Sequence, residues 1–279
     1  MTSQEVNAAI RDSLGLPPKP EPPPTFPQEG HVSEFPYWSF SKKRSSVTRL
    51  DITYEDQSFM TLLAPLGMPS PSFAGYLDAI LFFGQRDLFL REYVEISVYK
   101  ILKTLEIDPE NGRAYAHFHR DMERAFMAAI KTDRFRNPRT GQRDTVSYFR
   151  ILRRMELAKR RQGISQFYFD DLFLASLRSG YLKRLDFEFC LFLDKQGEAL
   201  ARFLYGHLLK RIGEKSLYQR SLIGFLTDIG FGYLTTEEPM RRNERLKRTV
   251  YPALDLLKGQ AIRAYELDGQ SNIFFLPKG

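Results

Sequence analysis

Apolar positions along the 279-residue chain recur at helical spacing in two sets that copy one another. Val98, Ile101, Leu102, Leu105 and Ile107 follow Ser97, and Leu222, Phe225, Leu226, Ile229 and Phe231 follow Ser221, every pair 124 residues apart. Apolar residues at i, i+3, i+4 and i+7 mark one buried helix face, and a serine just ahead of them predicts an N-cap. The next segment repeats at 128 residues: Phe118, Met122, Ala125, Phe126 and Ala129 match Leu246, Val250, Ala253, Leu254 and Leu257. Upstream, Leu77, Ile80 and Leu81 match Leu200, Phe203 and Leu204 at 123 residues. Three helices therefore recur in one order, and the longer spacing of the last pair predicts a longer loop near residues 235–239 in the second copy.

Each third helix runs into a strand pattern. After Ala129 come Ile130-Lys131, a turn at Asn137-Pro138-Arg139-Thr140-Gly141 and a β-branched and aromatic run over 146–152. After Gly259 come residues 261–267, an Asp268-Gly269 turn and the run 273–276, and Asp-Gly between such runs is a hairpin signal. Three helices followed by a hairpin describe a winged helix, a helix-turn-helix with a β-ribbon beside it. The expected fold is α+β, with two tandem winged-helix modules at 31–160 and 161–279. Pro252 lies inside the last helix, where proline costs about 3 kcal/mol, so the helix must kink there or restart with Pro252 in its first turn. Residues 1–30 read as a disordered proline-rich tail, because residues 17–27 hold seven prolines and suit an extended polyproline spacer.

Composition adds direction to this scaffold. The chain carries 41 Lys+Arg against 34 Asp+Glu, a net +7, but the excess is localised. Residues 131–161 hold eleven basic and three acidic residues, which is +8, so the remainder sums to −1. A basic segment on an otherwise neutral protein points to a polyanion. No run approaches the roughly 18 apolar residues of a membrane span. The first residues lack the pattern of a signal peptide, and the single Cys190 can form neither an internal disulfide nor a cysteine zinc site. A cytoplasmic protein with Cys190 in its core is expected.

In a helix-turn-helix the exposed side of the third helix meets the major groove. Here that side presents Arg113, His117, Arg120 and Arg124 in the first module, and Arg241, Arg242, Arg245 and Arg248 in the second. Arginine forks onto guanine O6 and N7 and also neutralises phosphate. Arg134, Arg136, Arg139 and Arg143 fall on the expected first wing, which suits a backbone or minor-groove contact. His117-Phe118-His119 has the His-hydrophobic-His form of a rolling-circle nicking nuclease. That chemistry needs a strand, which puts both imidazoles on one face, whereas residues two apart on a helix diverge by about 200°. The flanking residues have helical period. No phosphate loop, Ser/His/Asp set or H-E-x-x-H motif occurs, so a non-enzyme without metal or cofactor is expected.

Five further segments carry a resemblance. They are Glu34-Phe35-Pro36; Gly67-Met68-Pro69; Ser179-Gly180-Tyr181-Leu182 with Leu185-Asp186; Ala201-Arg202-Phe203-Leu204-Tyr205; and Tyr251-Pro252-Ala253-Leu254-Asp255-Leu256-Leu257. In this order, over residues 34–258, the chain resembles the bacterial plasmid replication initiator protein A family. The resemblance implies a plasmid-encoded initiator that binds repeated sites in double-stranded origin DNA and helps melt adjacent duplex. It also implies recruitment of the host initiator and replicative helicase, and a homodimer that represses its own promoter. The proline-rich leading segment and the first wing's arginines depart from the family's pattern. The competing readings are a winged-helix transcription regulator without a replication role and a metal-dependent nicking nuclease.

Overall fold

A computed structural model describes residues 25–29, 37–39, 46–85, 87–135, 146–160, 162–179, 182–212, 217–268 and 272–278. The repeat read from the sequence is a repeat of topology. In the first unit α1 (Ser72–Gly84) leads through the single-turn α2 (Asp87–Leu90) to strand β4 (Tyr93–Ser97), then α3 (Val98–Thr104) and α4 (Gly112–Met127). Strands β7 (Leu152–Glu156) and β8 (Ile164–Phe169) follow, close a sheet of order β4-β8-β7 and lead into α5 (Asp171–Arg178). The second unit has α7 (Ala199–Ile212), β10 (Tyr218–Ser221), α8 (Leu222–Asp228) and a third helix. Its strands β11 (Ile262–Asp268) and β12 (Asn272–Pro277) give the order β10-β12-β11. Both are winged-helix units with the first strand paired to the last.

Local chemistry matches the sequence pattern. Ser97 Oγ accepts from the Lys100 amide at 3.2 Å and Ser221 Oγ from the Gly224 amide at 2.9 Å, so both serines cap as expected. Behind the caps, Ile101, Leu102, Phe225, Leu226 and Ile229 are fully buried. The longer loop of the second unit contains a 3-10 turn, Gly232–Thr236. Its third helix is built in three parts: α9 (Pro239–Arg245), a π-helical turn (Leu246–Val250) and α10 (Tyr251–Asp255), with Pro252 in the first turn of the last part. Proline has no amide to donate and crowds the carbonyl four residues back, and the wide π turn just ahead absorbs that missing bond. Leu246, Val250, Ala253, Leu254 and Leu257 still form one buried stripe.

Three expectations are corrected. The hairpin expected after Ala129 forms, with β5 (Ala129–Thr132) against β6 (Ser147–Phe149), but it is not the wing. It completes a separate sheet of order β2-β3-β5-β6 with β2 (Arg49–Thr53) and β3 (Phe59–Leu63). The apolar alternation after residue 146 breaks at Arg150-Ile151, which splits one apparent strand into β6 and β7. The wing is the next hairpin, β7–β8, so the divide placed at 160/161 falls inside it. Lastly, residues 25–29 are not tail: β1 (Thr25–Glu29) pairs antiparallel with β9 (Leu182–Asp186), with Pro27 opposite Arg184. A two-stranded ribbon tolerates Pro27 because an edge need not use every amide. The rest of the expected tail, residues 1–24, lies outside the described residues.

The two units share a junction. Trp38, 2% exposed, meets Phe203 of α7 edge-on at 6.0 Å, and the Tyr37 hydroxyl donates to the Ala125 carbonyl at 2.9 Å. Phe82 at the end of α1 stacks on Phe187 of α6 (Phe187–Lys195) at 4.7 Å. The tip of the β2–β3 hairpin reaches the start of α8: Glu55 accepts from the Ser221 hydroxyl and pairs with Arg220 at 3.1 Å. Gly224 makes room for it, since an added Cβ would collide with the Glu55 carboxylate. Beneath these contacts Arg202 of α7 pairs with Asp78 of α1, and both side chains are out of solvent. Burial lowers the Arg202 guanidinium to about 9, the direction expected when charge is withdrawn from water. Cys190 is buried as expected, and burial pushes its thiol well up. No helix among the described residues is long and apolar enough to cross a membrane.

Removing one partner of a buried pair strands the other charge, so Asp78→Ala or Arg202→Ala should lower the unfolding free energy by about 3–5 kcal/mol in urea titrations. Replacing both at once, as Asp78→Leu with Arg202→Met, should recover most of that loss. If each single variant unfolded at the wild-type urea concentration, the pair would not hold the junction.

Candidate nucleic-acid interface

The third helix of each unit has two faces set by 100° per residue. On α4, Phe118, Asp121, Met122 and Ala125 face inward and are buried. Arg113, Arg120 and Arg124 share a stripe about 130° away from that core, by the same geometry. Arg113 and Arg120 are exposed and Arg124 is half-buried. Asn111 caps the helix, its side chain accepting from the Arg113 amide at 2.9 Å. In the second unit Arg241, Arg245 and Arg248 form the corresponding exposed stripe opposite Leu246 and Val250. Arg245 also pairs with Glu237 at 3.1 Å, which holds its guanidinium beside the start of the helix. Arg242 lies one step round, towards the core, and is half-buried.

His117 sits on the seam between the faces of α4 rather than on the arginine stripe. Its Nδ1 lies 3.2 Å from the Asp121 carboxylate and 3.4 Å from the Tyr76 hydroxyl. Asp121 is fully buried and also accepts from the Ser70 amide at 3.2 Å and from the Ser70 hydroxyl. Burial, with the Asp121 charge adding to it, raises the Tyr76 hydroxyl. His117 is thus tied into a polar cluster that fixes α4 against the start of α1. His119 stands edge-on to Phe118, and both histidines lie on a helix, not on the strand that a two-histidine nicking site requires.

Arg134 is not on a wing surface. It is 4% exposed, with its guanidinium 3.8 Å from the centre of the Tyr54 ring, 3.3 Å from Ser58 Oγ and 3.8 Å from Asp56. The side chain clamps the β2–β3 turn from just beyond the end of β5, where the Arg134 amide donates to Thr132 Oγ1 at 3.0 Å, and charge counting does not reveal that inward direction. Arg136, Arg139 and Arg143 lie outside the described residues.

The wing supplies basic residues beyond the four arginines expected on it. Lys159 and Arg160 are exposed between β7 and β8, where the Gly163 amide closes the turn on the Arg160 carbonyl at 2.9 Å. The signal was present as a basic run ending in Gln162-Gly163, but it reads as a turn only once the wing is moved to β7–β8. Nearer the sheet, Arg153 is held by Glu92 and by Asp171 at 2.7 Å, and Arg154 by Glu156 and the Tyr168 ring at 5.0 Å. These two brace the wing, while Lys159 and Arg160 remain at its tip. The second unit's wing differs: β11 ends in exposed Glu266 and Asp268, so its tip repels a polyanion.

No protein-family model matches the chain, and a search of curated proteins finds no match. Solved structures do match. Domains 2 and 3 of RctB, as the selenomethionine derivative, align over 87% of this chain and 95% of that one, at 12% identity and a TM-score of 0.51. A second structure of RctB domains 2–3 aligns over 89% and 96%, at 10% identity and a TM-score of 0.47. At such identity the likeness is one of fold, and the first match supports the α+β arrangement across nearly the whole chain.

The placement of Arg134 separates structural from binding arginines. Arg134→Ala should destabilise the fold by about 1–3 kcal/mol, because it removes a desolvated cation–π pair and a hydrogen bond. Chemical denaturation of the purified variant checks this; unchanged stability would make Arg134 a surface residue free to meet DNA.

Proposed function

We propose that this protein is a plasmid replication initiator that binds repeated sites in double-stranded origin DNA. The observation that carries the reading is the shared arginine stripe. Arg113, Arg120 and Arg124 in one unit, and Arg241, Arg245 and Arg248 in the other, stand on the same helix of the same fold, each opposite a buried stripe. A third helix so held enters a major groove, and its arginines reach guanine edges and phosphates. The first unit adds a phosphate contact through Lys159 and Arg160, and the second, with its acidic wing tip, reads with its helix alone. The resemblance to the plasmid replication initiator protein A family supports a replication role over repression alone. On this reading the bound protein recruits the host initiator and replicative helicase in the cytoplasm, dimerises to repress its own promoter, and performs no catalysis.

Two measurements test this. Arg120→Ala or Arg248→Ala should cost about 1–3 kcal/mol on the cognate repeat and far less on random duplex. Lys159→Ala with Arg160→Ala should weaken all duplexes alike and reduce the slope of log K against log salt by about 0.9 for each phosphate no longer neutralised. Equal affinity of the wild type for cognate and random duplex at physiological salt would sink the reading. A plasmid whose only origin is this gene and its adjacent DNA should persist in a permissive host. Failure to persist, with specific binding intact, would assign a transcription regulator instead.

A further inference from the structure

A cavity of about 520 Å³ opens at the junction of the two units. One side is the start of α1 with the α3–α4 turn and His117; the other is the end of α6 and the start of α7. Leu105, Ile107 and Leu191 give it apolar walls, and the Asp194 carboxylate is set into it. Gly75 lets that carboxylate approach α1, since an added Cβ would stand 2.9 Å from Asp194 Oδ2. Burial raises the Asp194 carboxyl to about 7. The charged and titratable groups around it are His117 on α4, Glu106 after α3, and Lys195 and Cys190 on α6. Lys195 is already paired with Glu106 at 2.6 Å, and His117 with Asp121. Among the described residues the Asp194 carboxylate has neither a hydrogen-bond donor nor a counter-ion. Asp194 is half-buried, and a carboxylate set into a cavity without a partner is the kind of group that a ligand completes.

The chemistry of the cavity narrows the ligand. The Asp194 charge disfavours an anion. One available carboxylate among apolar walls offers too few oxygens for a divalent cation, which takes about six. An ammonium group on a hydrocarbon stem satisfies both the carboxylate and the walls, and the volume is that of a small-molecule site. We propose that this cavity binds an aliphatic amine, with its ammonium against Asp194 and its stem along Leu105, Ile107 and Leu191. Because the lining comes from both sides of the junction, the bound amine favours the mutual placement of the two arginine-bearing helices. The inference stands on the cavity alone and does not require the initiator reading.

Calorimetric titration of the full chain at pH 8 with n-butylamine, n-butanol and butyrate tests it. The amine should bind saturably and the alcohol and the acid should not. Asp194→Asn should weaken amine binding about tenfold or more, the value of one charged hydrogen bond. That variant should fold. The folded protein holds the Asp194 proton more tightly than the unfolded chain, so wild-type stability falls as pH rises from about 4 to about 7, and the variant lacks that fall. Equal binding of butanol, unchanged binding by Asp194→Asn, or no saturable binding of the amine would overturn the proposal. Nα-acetyl-lysine methylamide distinguishes the source of the ammonium: tighter binding than butylamine assigns a partner protein's lysine, and any other order a free amine.

Discussion

Arg202 and Asp78 meet at the junction of the two units with both charges out of water, and neither is tolerable there alone. Their helices, α7 and α1, are the first helices of the two winged-helix units, so the pair ties the repeat to itself at equivalent elements. Around it, Trp38 on Phe203 and Phe82 on Phe187 exclude water, which keeps the local dielectric low and the pairing obligatory. Each third helix packs on its own unit through a buried stripe. The mutual placement of the two arginine stripes is therefore inherited from this one junction rather than from a flexible linker.

A second set of contacts refines the same geometry from the surface. Glu55, at the tip of a hairpin that belongs to the first unit's extra sheet, caps the second helix of the other unit through Ser221 and Arg220. Arg134 stiffens the turn that carries Glu55 by lying over Tyr54. The β2-β3-β5-β6 sheet, which has no counterpart among the described residues of the second unit, thus acts as a brace between units. Arg134, which looks like a DNA contact on charge alone, belongs to that brace.

Much of this was legible in the sequence, and the particular residues explain where legibility stopped. The serine caps at Ser97 and Ser221 and the paired apolar stripes are local patterns, and they appear in the structure where the spacing places them. Pro252 forced a choice between kink and restart, and the π turn at Leu246–Val250 shows a restart after a widened turn. The wing was misplaced because β5–β6 is a genuine hairpin at the expected distance after α4. Only pairing across the sheet, β8 to β4 rather than β5 to β4, tells wing from insertion, and non-local pairing leaves no periodicity to read. His117 and Arg134 fell to a related limit. Exposure at a seam, or just past the end of a short strand such as β5, depends on neighbours distant in sequence: Tyr76 and Ser70 for one, Tyr54 and Ser58 for the other.

On the proposed function both third helices address DNA together, from one rigid placement. Protection of guanine N7 from dimethyl sulfate on a duplex carrying the origin repeat tests it directly, because N7 lies in the major groove. Two separate groups of protected guanines, one for each unit and roughly one helical turn of about 10 base pairs or a multiple of it apart, are the predicted result. A single protected group, or protection confined to adenine N3 in the minor groove, which dimethyl sulfate also methylates, would contradict this reading.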